Sequence, residues 1–380
     1  MPTIKIGIDF RLDDLLSLFL IPVFFFVKPK FRASRLNFTY SCILILIIIS
    51  TLHGYYFLNV PISIRDLNEF IRVIKPFLII LIIDYCNLIV LSKYLDKFFK
   101  IGAILLILFG FLEYFNILGF RSLIAEIYSN SDRFNDITRS RMVLTSGNPN
   151  DAAVLLFYFL TYFTQSLFLK KSISIKLSIL FFLIIVLLMT SSRTVFICFV
   201  IIILLSLIYH FRKKKFLSLV IFSVCLMTLV SLIQFFDYLT IGFSTFQSGE
   251  NTSMIIRYQL WDDAFNLFLQ SPFFGWGPAK AIHTTVVDGE HFMLLRRYGI
   301  FGYFAIIYLL LGYFIVFLRK RKKLFFMGEN IKVLAFTSLF TCLIIPVIMV
   351  TNNFFSSYQL MPLYVIMIAI VEKSLKYKHD

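Results

Sequence analysis

Charge is what this sequence has least of: charged residues make up 15% of its 380 positions, against roughly 25% in ordinary globular domains. Apolar residues reach 59%, with 47 Phe, and the mean hydropathy is +0.86. So little polar surface cannot coat a water-soluble fold of this size, which excludes a soluble enzyme, a nucleic-acid reader and a disordered scaffold. Cysteine is also sparse. Cys42, Cys86, Cys198, Cys225 and Cys342 all fall inside apolar runs without C-x-x-C spacing, so neither a disulfide framework nor a metal site is indicated. Acidic residues number 21 against 37 Lys and Arg, a formal charge of +16. On a chain held in lipid, the question is on which side that charge sits.

Period-2 alternation of the outer-membrane barrel type is missing, as are internal repeats and low-complexity linkers. The apolar runs are long, unbroken and rich in Leu, Ile and Phe, which is the pattern of helices. A bilayer core of about 30 Å takes roughly 20 helical residues. Runs near that length cover about 38–58, 70–91, 101–118, 150–169, 177–190, 194–211, 216–236, 298–318, 331–350 and 355–371, with a shorter one at 15–27. Residues 15–27 follow Asp13 and Asp14 rather than a basic segment and precede Lys28-Pro29-Lys30 instead of a cleavage site, so they are read as part of the chain and not as a signal peptide. The expected fold is all-α: a polytopic transmembrane bundle of about eleven helices, ten to twelve given the short first run, forming a single integral-membrane domain over 1–380.

Basic connections fall on alternate sides of these spans: Lys28 to Arg35, Lys93/Lys97/Lys100, Lys170/Lys171/Lys176, Arg212 to Lys215, Arg319 to Lys323 and the tail from Lys373. The positive-inside rule places them, and the C-terminus, in the cytoplasm. The outer side then carries two long polar connections, 119–149 and 237–297, and the brief Ser191-Ser192-Arg193 turn. Within the second, Thr252 and Ser253 are N-cap candidates, and Ile256, Leu260, Ala264, Leu267 and Phe268 recur at helical spacing as far as Gln270. That segment reads as an amphipathic helix on the outer membrane surface, stopped by Ser271-Pro272 and followed by the tight turn Gly275-Trp276-Gly277-Pro278.

With this topology 18 of 21 lysines lie inside, and 11 of 16 arginines lie outside or near the outer interface. Outer arginines can serve structural ion pairs with carboxylates, or an outward-facing phosphate site, for which a planar bidentate guanidinium is the preferred partner. Arg72 and Lys75 share a helix face within reach of Glu69. Glu113 sits near the outer end of its own run. Asp84 lies nearer the cytoplasmic end and suits a helix–helix hydrogen bond. His53 reads as a packed interfacial histidine.

Four outer segments, in order, resemble the O-antigen ligase and polymerase family of bacterial membrane glycosyltransferases. They are Ser146-Gly147-Asn148-Pro149-Asn150; Ser191-Ser192-Arg193-Thr194; Arg257 through Trp261 and Ala264 to Pro272 and Gly275-Trp276-Gly277; and Asp288-Gly289-Glu290-His291-Phe292 leading to Tyr298, Gly299, Ile300 and Gly302. The resemblance covers roughly 145–320. It implies an active site on the outer face of the cytoplasmic membrane and a substrate glycan carried on undecaprenyl pyrophosphate. No nucleotide sugar, metal or other cofactor is implied. A chain-length regulator and a flippase are the implied protein partners, and nucleic acid is not a partner.

Arg193 and Arg257 match the family's motif arginines and are expected to hold the pyrophosphate leaving group. Arg257 could instead pair with Asp262 or Asp263 on its own helix. Ligases carry a His-Asn pair where this chain has Asp288-Gly289, so the resemblance favours a repeat-unit polymerase over a ligase. Asp288 is then the expected acid/base group, followed by Glu290 and His291 as substrate-binding candidates. Arg133, Arg139 and Arg141 in the first outer connection are candidates for a second pyrophosphate, with Arg72 and Lys75 as further substrate-binding residues. The alternatives are a ligase that moves glycan onto lipid A core, and a flippase or other transporter for lipid-linked sugars.

Overall fold

A computed structural model describes residues 3–6, 8–11, 34–128, 141–144, 146–170, 174–210, 252–283 and 287–376, with single residues at 22, 219, 223 and 226. The expected spans 15–27 and 216–236 fall almost wholly outside the described residues, as do Arg133 and Arg139. Two short strands, β1 (Thr3–Ile6) and β2 (Ile8–Arg11), pair antiparallel with Thr3 opposite Arg11. They are a small departure from the all-α expectation; the other regular elements are helical.

Eleven α-helices follow among the described residues: α1 (Arg35–Leu58), α2 (Leu67–Ile83), α3 (Leu88–Tyr114), α4 (Phe120–Tyr128), α5 (Pro149–Leu169), α6 (Ser174–Thr190), α7 (Arg193–His210), α8 (Thr252–Gln270), α9 (Glu290–Leu324), α10 (Glu329–Ile348) and α11 (Leu360–Lys376). Among the described residues five helices are long and apolar enough to cross a membrane, namely α1, α5, α7, α9 and α10. A sixth span arises if α3 is joined to the helical segment beyond its break, where the chain bends by 107°. Two of the eleven helices, α4 and α8, fall within the sequence connections 119–149 and 237–297.

One expectation needs correcting. Lys93, Lys97 and Lys100 are not in a connection between spans. They lie inside α3, and the break between α2 and α3 is the short stretch 84–87. Lysine is a good helix former whose long stem lies along apolar surface while its head stays polar, so three lysines do not interrupt the helix. Asp96 uses one of them, with Lys100 at 2.7 Å and Lys170, just past the end of α5, at 2.5 Å.

The described residues divide into two compact units. The first, built on Ile89–Asn251 and Lys322–Ile344, centres on α5, which packs against α6 and α7. Its start follows from local sequence: Gly147 takes φ 68°, Asn148 caps the helix by accepting from the Asn150 amide at 2.8 Å, and Pro149 occupies the first helical position. Glu113 near the end of α3 is fully buried and accepts from the Val143 and Leu144 amides at 2.7 and 2.8 Å, which anchors the segment 141–144 ahead of α5.

The second unit, Thr3–Leu88, Thr252–Arg321 and Ile345–Asp380, packs α2 against both α1 and α11. At one end Arg35 of α1 pairs with Glu372 of α11 and donates to the Tyr308 carbonyl of α9 at 3.0 Å. Asp84 makes an ion pair with Lys373 of α11 at 3.0 Å. That joins two helices, as expected of Asp84, but with a charged partner. The other end of the unit, where α2 begins and α9 starts, carries the polar site.

Candidate active site

The site in the second unit is framed by backbone geometry at the start of α9. Residues 296 and 297 present their carbonyls to the turn that follows α8: Trp276 N–H donates to the Arg296 oxygen at 2.9 Å and Gly277 N–H to the Arg297 oxygen at 2.8 Å. Gly275 is required here. Its φ is +71°, and a Cβ would meet the Arg297 carbonyl at 2.6 Å. Ser50 of α1 joins by donating to the Arg297 carbonyl at 2.6 Å, and His53 meets the Gly275 carbonyl at 3.2 Å while stacking on Phe57. His53 is therefore the packed histidine its position suggested.

On this frame sits a buried carboxylate with three cations. Glu69, in the first turn of α2, faces Arg72 at 2.9 Å, Lys280 at 2.8 Å and Arg297 at 3.3 Å. Asp66 adds a fixed acceptor: one of its oxygens closes a capping box with the Ser63 amide, and the other takes the Lys280 amide at 3.0 Å. Arg72 pairs with Glu69 as expected. Lys75 lies over the Tyr358 ring at 5.3 Å, beside the Arg72 guanidinium at 4.5 Å from the same ring. The Nε atoms of Arg72 and Arg297 are buried without hydrogen-bond partners. Burial pushes the Lys280 ammonium below its ordinary value, and the Arg72 and Arg297 charges add to that, while Glu69 opposes both.

Beside this cluster, α8 docks on the loop ahead of α9. Ala264, Val287 and Met293 form a small buried core with Leu260, Trp261 and Phe292 against it. Trp261 stacks on Phe292 at 5.4 Å and donates its indole N–H to the Asp288 carbonyl. Docking in this way brings Arg257 to Asp288, with Nη2 and Oδ2 3.7 Å apart. Arg257 thus takes Asp288 as its charged partner, rather than Asp262 or Asp263, because its guanidinium turns off the helix toward the loop. The Asp288 side chain is 52% exposed, so its carboxylate faces outward. Gly289 has φ +132°, and a Cβ there would run into the Trp261 indole, which is a local reason for glycine at this place.

The next two candidates are engaged otherwise. Glu290 is fully buried and accepts from the Phe354, Phe355 and Ser356 amides at 2.6–2.7 Å; anchoring that loop accounts for its carboxylate. His291 donates from Nε2 to the Pro346 carbonyl at 2.9 Å and meets the Tyr303 hydroxyl at 3.1 Å, so both ring nitrogens are occupied. Sequence reasoning missed Lys280, Arg296 and Arg297 as individuals. The adjacent arginine pair ahead of Tyr298-Gly299 was the available signal.

In the first unit, Arg141 ties the end of α6 to the start of α5: Nε donates to the Thr190 carbonyl and Nη2 to Asn150 Oδ1, both at 3.1 Å. Arg193 opens α7 just after Ser191, whose φ is +55°. Among the described residues no group of three or more His, Cys, Asp or Glu side chains is gathered as a metal site.

A polytopic helical membrane protein, with its polar groups concentrated at helix ends and on a surface helix, is the class this arrangement defines. Residues 178–293 match the family model described as O-antigen ligase, consistent with the O-antigen ligase and polymerase family of membrane glycosyltransferases. The matched stretch contains Arg193, Arg257, Asp288, Glu290 and His291. Comparison with curated proteins finds no match.

Proposed function

We propose that the protein is a polymerase of oligosaccharide repeat units carried on undecaprenyl pyrophosphate, acting at the outer face of the cytoplasmic membrane to extend an O-antigen, capsule or exopolysaccharide chain. The observation that carries this reading is the Arg257–Asp288 pair. It sets a carboxylate, where the resemblance gives ligases an imidazole, beside a guanidinium in the first half of α8. At 3.7 Å the pair is looser than the 2.7–2.9 Å typical of charge-assisted hydrogen bonds, so both groups can turn to substrate.

In the proposed step, a sugar hydroxyl of the newly delivered unit attacks the anomeric carbon of the growing glycan. The new C–O bond forms as the bond from that carbon to the pyrophosphate oxygen breaks, and the electron pair leaves with undecaprenyl pyrophosphate. Asp288 takes the hydroxyl proton. Arg257 is assigned to the charge developing on the leaving group. A flippase that delivers repeat units and a chain-length regulator are the partners this activity calls for. Deletion of the gene tests the reading: single repeat units on the acceptor are expected, and chains of normal length and modality would overturn it.

A further inference from the structure

Alongside the Arg257–Asp288 pair, α8 covers a cavity of about 380 Å³ lined by Asp263, Asn266 and Gln270 of α8, by His283 and Val287 of the following loop, and by Arg296. Arg296 is only 3% exposed, and its Nε and Nη2 are buried without a hydrogen-bond partner. Nε and Nη2 form one edge of the guanidinium, the edge by which an arginine can hold a carboxylate side-on; both are shut off from open space as they stand, so the side chain has to turn toward the cavity to use them. A buried guanidinium left in that condition is costly, and neither structural ion pairing nor backbone capping explains it. His283 adds a second buried nitrogen without a partner, Nε2. The other polar lining groups, one carboxylate and two amides set beside Leu260 and Leu267, offer both donors and acceptors at the spacing of a helix face.

We propose that this cavity is a subsite for an acidic sugar of the glycan, a hexuronate or similar carboxylate-bearing residue, whose carboxylate is held by Arg296 and whose hydroxyls are held by Asp263, Asn266 and Gln270. The inference rests on the polymerase reading and assigns its substrate class. A phosphate group suits the cavity less well: one arginine faces it, and Asp263 would repel a dianion, whereas a single carboxylate is balanced by Arg296 and leaves Asp263 to accept from hydroxyls. The volume lies at the lower end of the range for small-molecule sites, about 300–1,000 Å³, which suits one or two sugar rings.

The test uses the full chain in lipid nanodiscs, titrated with methyl glucuronoside, methyl glucoside and inorganic pyrophosphate. Trp276 reports binding, since its ring lies 5.6 Å from that of His283. The glucuronoside should bind saturably and at least about tenfold more tightly than the neutral glucoside, the effect of a bidentate charge-assisted contact. Arg296→Gln should abolish that preference, and Asn266→Ala should weaken both sugars while keeping it. Equal binding of the two sugars by the unaltered chain overturns the proposal, as does a preference that survives in folded Arg296→Gln. Displacement of the glucuronoside by pyrophosphate that depends on Arg296 also overturns it. If Arg296→Gln does not fold, the unaltered chain and Asn266→Ala decide. A preference for the acidic sugar alongside normal chains in the deletion strain refutes the polymerase and leaves the sugar site standing. Single repeats in that strain with no preference refute the sugar site alone.

Discussion

Replacing Asp288 by Asn separates chemistry from architecture at this site. The Asp288 backbone carbonyl, which accepts from the Trp261 indole, is unchanged by the substitution, so the docking of α8 on the loop is retained. The side chain is 52% exposed, and its contact with Arg257 is a surface pair of the kind worth at most about 1 kcal/mol. Stability should therefore move by no more than about 0.5–1 kcal/mol. A positioned general base contributes about 10²–10⁴-fold to rate, or about 3–5 kcal/mol of barrier, and Asn cannot accept the proton. Purified enzyme given lipid-linked repeat units should make a ladder of glycan products slowed by that factor, with an unaltered melting transition. A rate within about threefold of the original in a folded variant would remove Asp288 from the reaction. Lost activity that tracks a lowered melting temperature would assign the residue to structure instead.

Arg257→Lys should retain binding of the lipid-linked donor in part but lose most polymerisation, because an ammonium cannot reproduce the planar fork; near-normal chain length on a gel would take Arg257 out of the site. Glu69→Gln should cost about 3–5 kcal/mol, the usual penalty for removing one side of a buried pair, since Arg72, Lys280 and Arg297 then face one another around a position only 3% exposed. Denaturant melts in detergent measure this loss, and adding Arg297→Gln should restore part of it through the coupling of neighbours. A loss below about 1 kcal/mol would deny Glu69 its central place. Burial holds the His283 imidazole below its ordinary value of 6.5, and the Arg296 and Arg297 charges add to the effect. The unfolded chain therefore takes up the proton first. Stability at this loop should be level above about pH 6.5 and fall as pH drops through the window below it; Trp276 emission melts at stepped pH check this, and His283→Gln should flatten the slope.

Local sequence carried the parts of this fold whose causes are local. The surface helix ends at Gln270 as Ser271-Pro272 dictate, although Thr252 and Ser253, read as N-caps, lie inside its first turn; the Asn148-Pro149 start of α5 follows from capping and a fixed φ, and the Arg72–Glu69 pair lies one turn apart on one face. What was hidden depends on residues far apart in the chain. Glu69 meets Arg297 and Lys280 across more than two hundred positions, and no spacing rule announces that. Glu113 and Glu290 resemble site carboxylates in sequence because a charge near a span invites function. Both instead satisfy backbone amides of loops that would otherwise bury unpaired donors. The inner boundary of α3 was misplaced for a different reason: charge count alone cannot separate a basic loop from a basic helix end.

The excess of arginine in the connections expected on the outer side is the first hint of an anionic ligand, and the structure divides that population by how each guanidinium is held. Arg72 and Arg297 share Glu69, so most of their charge is committed to the fold. Arg141 spends two donors on Thr190 and Asn150. Arg257 faces a half-exposed carboxylate at 3.7 Å, with its Nε unpartnered, and Arg296 lines a cavity with two unpartnered nitrogens. Number alone therefore overstates the case for phosphate. The residues that bear on ligand binding are those whose donors the fold leaves without a partner, and in the second unit Arg257 belongs to α8 while Arg296 borders the cavity that α8 lines. Under the polymerase and acidic-sugar proposals Arg257 meets the leaving group's charge and Arg296 a sugar carboxylate, so a single element, α8, would fix both the reacting end of the glycan and its identity.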